Sequence, residues 1–486
     1  MRWALQRFGT WEWLDYEFPL TVEDGYELAL SAYGIVHASV PSPMAQYLGV
    51  DGQPLFEEWG TFVHCEIDDP GRVRREWTGI VKSAIFDGNG WDLDLVEFPG
   101  YFAGEPYQGL ARATGTDPAD LLRQLVLDTQ SRPSSWFGCS VIGATGEKLG
   151  TNLDQKVAEA RAVMDQRQAT YDQLAKTKNT KTNELQDLDS TLSDEVTTSR
   201  RLVTEAQAYV LSLVNAGAEA AQIETARLAV VARQASYNAA LTSYNAEIEA
   251  GRSALSSAKT DKDEAKKALD SAKEKYRDAK KNRSDQGGAF EVRGEDLEDT
   301  YRAFNKVAKA AGIEWSTQTI YSEGAPNVRI NLHYPQAGVR RDDLIFDTSV
   351  NIVSELELVS AGAYANAAVG VGAGEGAKAI RRSISLPTTR MRRTVVVDDK
   401  TIRTNAHMDA AMRAELTLCQ AAPYPESITV ADHPNCRIGA WQVGDTITVT
   451  GKLRAGATYK GLLRIVAWQR VSAHEARLTL TPAAPL

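Results

Sequence analysis

From Leu153 to Leu213 one stripe of positions recurs at alternating steps of four and three without a slip. It runs Leu153, Val157, Ala160, Met164, Arg167, Tyr171, Leu174, Lys178, Lys181, Leu185, Leu188, Leu192, Glu195, Ser199, Leu202, Ala206, Tyr209 and Leu213, and thirteen of the eighteen are apolar. Only a helical seam returns to one face every 3.5 residues, so this spacing predicts a coiled coil. The stripe resumes as Ala220, Ile223, Arg227, Val230, Gln234, Tyr237, Leu241, Tyr244, Ile248, Gly251, Leu255, Ala258, Lys262, Ala265, Leu269, Ala272, Tyr276 and Ala279, fourteen of them apolar. Asn215-Ala216-Gly217 lies between the arms, where helix-stopping and turn-forming residues coincide. Two nearly equal arms around a tight turn predict an antiparallel hairpin about 90 Å long, with Asn215 and Gly217 at its tip.

Composition marks the limits of this segment. Of 17 prolines, nine lie at or before Pro133 and eight at or after Pro326; the ten tryptophans leave the same gap, between Trp136 and Trp315. Residues 151–285 hold 21 acidic and 21 basic side chains, so the net charge of -10 belongs to the flanking regions. That charge argues against a general nucleic-acid surface, though not against a local basic patch. Alanine and charged residues such as Arg167, Lys178, Lys181, Glu195 and Lys262 interrupt the seam and weaken a two-helix pair. Two readings stay open: an isolated arm that frays, or one that bundles with further copies. The tyrosines at 171, 209, 237, 244 and 276 read as packing residues.

The flanks read as mostly β. EWGTFVHCEID, REWTGIVKSAIFD and GWDLDLVEFPGYF are separated by turn chemistry at Asp68-Asp69-Pro70-Gly71 and Asp87-Gly88-Asn89-Gly90, which suggests a meander or small barrel. Thr116-Asp117-Pro118 opens a helix with Leu121, Leu122, Leu125 and Val126 on one face. Beyond Gly287-Gly288 a second helix carries Tyr301, Phe304, Val307, Ala308 and Ala311 and stops at Gly312. SISLP, RTVVVDD, ITVAD, DTITVTGKL, KGLLRIVAWQR and ARLTLTPA end the chain in the pattern of a small closed barrel. The expected fold class is mixed α+β, with β-barrel-type domains flanking an α/β module that the helical hairpin interrupts. The expected division is 1–115 for the N-terminal β-rich domain, 116–150 with 287–380 for the split module, 151–286 for the hairpin, and 381–486 for the C-terminal barrel-like domain. A hairpin returns both its ends to one place, which is why a loop tolerates such an insertion.

No residue pattern supplies chemistry. Cys65, Cys139, Cys419 and Cys436 form no CxxC, and His433 with Cys436 lacks the second pair of a zinc site. No two of His37, His64, His333, His407, His433 and His474 sit three or four apart. Asp68-Asp69, Asp342-Asp343 and Asp398-Asp399 are adjacent, which does not suit a glycosidase pair. Gly370, Gly372, Gly374 and Gly376 lack the ending of a nucleotide loop. The N-terminus lacks the apolar stretch of a signal peptide, and no run is long enough to span a bilayer; the Ala- and Gly-rich segment 359–380 reads better as a loop. No catalytic residue, cofactor or metal is expected. Arg381, Arg382, Arg390, Arg392 and Arg393 form the one basic cluster, a candidate for a channel lining, a nucleic-acid contact or an oligomer interface.

In its order of segments the chain resembles the hub or minor tail proteins of long-tailed (siphovirus) bacteriophages, the baseplate-hub-like group of actinobacterial phages. The resemblance is carried by EWTGIVKSAIFDGNGWDLDLV, GTDPADLLRQLV, RRDDLIFDTSVNI, and WQVGDTITVT with KGLLRIVAWQRVSAHEARLTLTP, and covers 1–135 and 290–486, about two-thirds of the chain. It implies a structural protein of the virion, made in the bacterial cytoplasm and placed at the distal end of the tail, where β domains form a ring closing the tube. It also implies a homo-oligomer, commonly a trimer. The implied neighbours are the distal tail protein, the tape measure protein and receptor-binding proteins, with passing contact with DNA. The hairpin departs from the simplest hub pattern. Two alternatives accompany this reading: an envelope-binding adhesin that presents the hairpin tip, and a cell-wall hydrolase.

Overall fold

The computed structural model describes every residue except 42–47, 70–71, 323–324, 361–362, 375–378, 401, 403–404, 455 and 484–486, and of 68–69, 72–74, 285–286, 321–322 and 325 only the backbone. The Pro70-Gly71 part of the first expected turn, the Asp68 and Asp69 side chains, and Gly376 with its neighbours Glu375 and Lys378 thus lie outside the described residues. The fold is mixed α+β and forms two compact units, residues 1–152 with 286–486, and residues 153–285.

Alternation builds the first sheet of the larger unit. Strands β1 (Arg2–Arg7), β2 (Trp13–Phe18), β3 (Thr21–Val22), β4 (Tyr26–Ala29), β5 (Ile35–Pro41), β6 (Thr61–Asp69), β7 (Arg72–Phe86) and β8 (Gly90–Glu97) open the chain. Seven of them form an antiparallel sheet in the order β2-β1-β6-β7-β8-β5-β3. On β5, Val36, Ala38 and Val40 are buried while Ile35 and His37 face solvent, the period of two that a half-buried strand requires. The remaining strand, β4, leaves its neighbours and pairs with a strand more than 400 residues away.

A helical layer follows: α1 (Pro99–Phe102), β9 (Leu110–Ala113), α2 (Pro118–Gln130) and β10 (Cys139–Ile142). Asp117 caps α2, accepting from the Ala119 amide at 2.9 Å, and Pro118 occupies the first turn, where no amide hydrogen is needed. The smaller unit then intervenes as α3 (Leu153–Asn215) and α4 (Ala220–Gln286). The chain resumes with β11 (Phe290–Arg293), α5 (Thr300–Ala311), β12 (Glu314–Ser322) and β13 (Ala325–His333). β11 pairs with β9, and β10 lies parallel to β13 in a three-stranded sheet. Helices α2 and α5 share one apolar core with that sheet and are joined by a 2.9 Å hydrogen bond between the Thr129 and Thr300 hydroxyls. Segments on either side of the insertion thus pack as one layer. Thr151 clasps its two ends, donating its amide to Gly288 (3.0 Å) and its hydroxyl to Gly287 (2.7 Å).

The last third divides differently from the pattern expected. β14 (Arg340–Asp347) and β15 (Leu358–Val359) precede β16 (Ala367–Val371), β17 (Arg381–Ser385), β18 (Thr394–Asp398) and α6 (Asn405–Gln420). SISLP and RTVVVDD do not join the late strands; β17 and β18 flank β16 in a separate three-stranded sheet backed by α6, with a small core of Ala365, Ala368, Ile402, Met408, Met412 and Leu416. Sequence proximity suggested the other grouping, but strand pairing is a long-range choice that adjacent residues do not record. β19 (Tyr424–Pro425), β20 (Ser427–Ala431), β21 (Thr446–Lys452), β22 (Thr458–Arg470) and β23 (Glu475–Pro482) complete the chain. The final sheet runs β14-β21-β22-β23-β20, and β4 pairs with β22. It is a curled half-barrel and not a closed one: β14 and β20 end the path without pairing, and only an isolated bridge, Ile352–Val430, links β20 to the segment after β14. So few strands leave the circuit incomplete. The apolar face that a closed barrel would bury against itself is covered by the N-terminal sheet, and the two share one core that includes Trp3, Trp77, Trp441 and Trp468.

Candidate functional site

The hairpin is built from local spacing alone. Opposed contacts run in antiparallel register: Arg283 Nε donates to Asp154 (2.8 Å), Tyr244 to Asp189 (2.8 Å), and Arg233 to the Leu202 carbonyl (3.0 Å). Gly251 sits against Leu185, where a side chain would meet Leu185 Cδ1 at 2.7 Å. Leu153, Leu192, Ile248 and Leu269 are buried, and Val157, Met164, Tyr171, Leu174, Leu185, Leu188, Leu213, Ile223, Val230, Tyr237, Leu241, Tyr244, Leu255 and Tyr276 are half-buried. Leu202 departs from the expected seam: it is 37% exposed and its neighbour Val203 only 6%. After Leu192 the inward positions run Val196, Ser199, Val203, Ala206, Val210 and Leu213: Ser199, Ala206 and Leu213 keep their places, while Val196, Val203 and Val210 replace Glu195, Leu202 and Tyr209, which turns Tyr209 outward. An α-helix of 3.6 residues per turn drifts by roughly 20° per heptad, and a single four-four step absorbs the drift.

Asn215 and Gly217 form the exposed turn, with Gly217 at φ +68°, a conformation that favours glycine. The neighbouring helix ends carry Leu202, Tyr209, Leu211, Val214, Leu228 and Val231, all exposed. Only four of the 31 residues in 202–232 are charged. The distal end of the arm is therefore apolar on several sides.

The arginine cluster sits on the small three-stranded sheet. Arg381 and Arg382 lie on edge strand β17, and Arg390, Arg392 and Arg393 on the loop to β18; all five are exposed. Arg382 forms a two-pronged ion pair with Asp409 at 2.9 and 2.7 Å, which holds that carboxyl below its ordinary range. Arg390 stacks over Tyr364 at 4.8 Å, and Arg392 contacts the Thr394 hydroxyl at 3.4 Å. Among the described residues, Arg381, Arg390, Arg392 and Arg393 have no carboxylate partner.

Sequence reading missed the charged groups that join the sheets of the larger unit. Gly25 (φ +80°) brings β4 onto β22 so closely that a Cβ there would lie 1.7 Å from the Arg470 carbonyl oxygen. Directly beneath, Arg470 grips Glu76 of β7 with two hydrogen bonds, one of them 2.9 Å, and Tyr26 donates to the same carboxylate. Both charged side chains are buried. Burial pushes the Glu76 carboxyl up, and the guanidinium opposes that shift. Glu314 and Arg464 form a second bidentate pair (2.6 Å for one prong), and Glu314 also accepts from the Ala337 amide at 2.7 Å. Glu97, at the end of β8, accepts from the Gly34 amide (2.7 Å) and the Thr317 hydroxyl (3.2 Å); burial lifts its carboxyl to about 7. The available signal was a lone charge inside an apolar run, as in LVEFPG and IVAWQRV, but its partner lay far away in sequence.

A cleft of about 320 Å³ opens beside this joint, lined by Arg75, Glu76, Ser316, His333, Trp441 and Trp468 among others. Ser316 and His333 are 2.8 Å apart, and burial holds the imidazole below its ordinary value. Glu314, paired with Arg464, is taken up by that contact. The adjacent aspartates are also paired, Asp342 with Arg340 and Asp343 with Arg341 locally, and Asp399 with Lys309 of α5. Burial pushes the Cys65 and Cys436 thiols up to about 12, far from thiolate reactivity. Among the described residues no group of three His, Cys, Asp or Glu side chains could hold a metal ion, and no helix is long and apolar enough to cross a membrane.

No protein-family profile matches the chain, and no curated protein matches it. Among solved structures, the 43 kDa tail protein of prophage MuSo2 from Shewanella oneidensis is similar at 9% identity and a TM-score of 0.46, covering 99% of this chain and 98% of that one. The tail protein from Neisseria meningitidis MC58 is similar at 8% identity and a TM-score of 0.44, covering 99% and 96%. The E. coli c3393 protein, a type VI secretion component described as structurally similar to the T4 tail proteins gp27 and gp5, gives 8% identity and a TM-score of 0.36, covering 99% and 77%.

Proposed function

We propose that this chain is a structural phage tail protein, a hub at the distal end of the tail that closes the tube and organises host-attachment and DNA-delivery parts. The observation that carries this reading is the stitching of sequence-distant β segments into one body. β4 enters the half-barrel, Arg470 locks Glu76 in a buried pair, and the half-buried Arg464 locks Glu314, so sequence-distant segments are tied by charge. A body built this way suits bearing load within an assembly. The order of sequence segments that resembles tail hubs supplies the biological context. On this reading the division is a β-rich N-terminal domain, a split α/β module, an inserted hairpin and a C-terminal barrel-like domain. The partners are further copies of the chain, commonly three, and the neighbouring tail proteins. In particles of the phage that encodes it, antibody raised against residues 153–285 should label the distal tail tip in negative-stain micrographs. Labelling of the capsid, or absence of the chain from purified particles, would overturn the reading.

A second reading, an adhesin presenting the hairpin, is favoured by the apolar, charge-poor tip around Tyr209, Leu211, Leu228 and Val231. It expects the purified chain alone to bind cell envelope and to lose that binding when Leu211 and Leu228 become serine.

A further inference from the structure

Among the described residues, the outer face of the small β16–β18 sheet is left open. One face packs on α6 through Ile384, Val395 and Val397. The opposite face is centred on Val369, Val371 and Val396, and Val396 is 64% exposed. Strand register places Arg381 on one side of Val371 and Asp398, paired with Lys400 at 3.5 Å, on the other, and the Arg390–Arg393 loop lies at the start of β18, where Met391 is 88% exposed. An apolar centre with methionine and an arginine rim has the composition of a protein interface.

Charge along the chain indicates what covers it. Residues 363–486 hold sixteen Lys and Arg against nine Asp and Glu, whereas residues 1–115 hold seven against eighteen. An acidic chain thus carries a basic end, whose Arg381, Arg390, Arg392 and Arg393 have no carboxylate partner among the described residues, and an acidic end of larger opposite charge. The acidic end also offers a matching face. On the outward side of β5, β8 and β7, Asp92 lies opposite Ile85, which is 61% exposed, and Asp94 lies between Ser83 and His37, whose ring contacts it at 2.6 Å, with Ile35 further along. A net charge of -10 repels nucleic acid at range, and a valine-centred sheet has no phosphate-tracking geometry.

We infer that the Arg381/Arg392/Arg393 face of one copy docks on the Asp92/Asp94 face of a second copy of this chain. Because the two patches differ, the contact is heterologous, and successive copies follow head to tail, forming a ring where the rotation closes. Ring closure rests on the tail-hub reading; the pairwise contact does not.

The test is sedimentation velocity of the full chain at low and high salt, with circular dichroism to verify folding; every substituted residue is exposed or half-buried on a sheet or loop surface. The parent chain should self-associate at low salt and less at high salt. R381E/R392E/R393E, and separately D92R/D94R, should each weaken association at least about tenfold, and the chain carrying all five changes should restore it. A parent that stays monomeric at low salt overturns the proposal, as does an arginine variant that assembles like the parent, or a combined chain that does not recover. Loss of binding to a short DNA duplex in the arginine variant, with self-association untouched, would instead assign the face to nucleic acid. If the charge swap restores association but antibody finds no chain in phage particles, only the tail-hub reading fails; labelled tails with unaltered association remove only this contact.

Discussion

The β-rich unit and the helical hairpin solve the same problem of burial in opposite ways. In the β unit, rings such as Trp315, Trp441, Tyr26 and Phe62 are wholly buried, and the ionisable groups inside are partnered, Arg470 with Glu76 in a bidentate pair and Glu97 with an amide and a hydroxyl. In the hairpin most seam residues stay half-exposed, and the ion pairs, such as Arg201–Glu205, lie on the surface. A two-helix pair has only one buried stripe per helix, whereas stacked sheets enclose side chains on all sides. Stability in the β unit is therefore long-range and cooperative. In the hairpin it is distributed along the seam, turn by turn.

The sharpest way to break this contrast is at the joint of the two large sheets. Arg470→Ala leaves the buried Glu76 carboxylate without its counter-charge and should destabilise the β unit by about 3–5 kcal/mol in denaturant unfolding, without altering the helical signal of the hairpin. Glu97 provides a pH-dependent test. Its carboxyl stands near 7 in the folded chain against 4.5 when unfolded, so below 4.5 both states hold the proton, and between 4.5 and 7 only the folded state does. Stability from this group is thus full at low pH and is lost as pH rises through about 7. Glu97→Gln should gain up to about 3 kcal/mol at pH 8 and nothing at pH 4, measured as the difference in unfolding free energy across that range. A flat difference would mean that Glu97 is charged when folded.

Smaller effects sharpen the hairpin side. Ile248 is one of the few seam residues that is buried, so Ile248→Ala should cost about 2 kcal/mol and appear in the helical transition alone. If the near-ultraviolet tryptophan signal shifts with it, the two units unfold together, because no tryptophan lies between Trp136 and Trp315. The smallest expected effect is at the cap of α2. Asp117→Ala removes bonds to the Ala119, Thr145 and Gly146 amides and should cost about 1–2 kcal/mol. Burial opposes ionisation of Asp117 and these bonds more than offset it, holding its carboxyl below the ordinary range. That loss should shrink as pH falls through the depressed folded value.

Legibility followed the range of the interaction. The Asp117-Pro118 start, the Gly312 stop and the two long helices α3 and α4 rest on neighbours within a few residues, and the sequence shows each of them. Of the candidate site, the arginines were visible as a cluster, but their lack of carboxylate partners beyond Arg382–Asp409 was not. The β4–β22 pairing was invisible because four residues, Tyr26–Ala29, carry no signal naming a strand at the other end of the chain. α6 runs through Gln420, with Met408, Met412 and Leu416, four residues apart, buried along one side.

By itself, then, the sequence determined the helical hairpin, its turn and its neutrality, because a heptad is a local code that repeats often enough to drown exceptions. Tertiary structure alone decided which of Leu202 and Val203 turns inward, since that depends on where drift accumulates against a second helix. It alone decided that the late strands stop short of a closed barrel and lean on the N-terminal sheet. And it alone brought Glu76 to Arg470 and Glu314 to Arg464, because a buried charge specifies that it needs a partner without specifying which one.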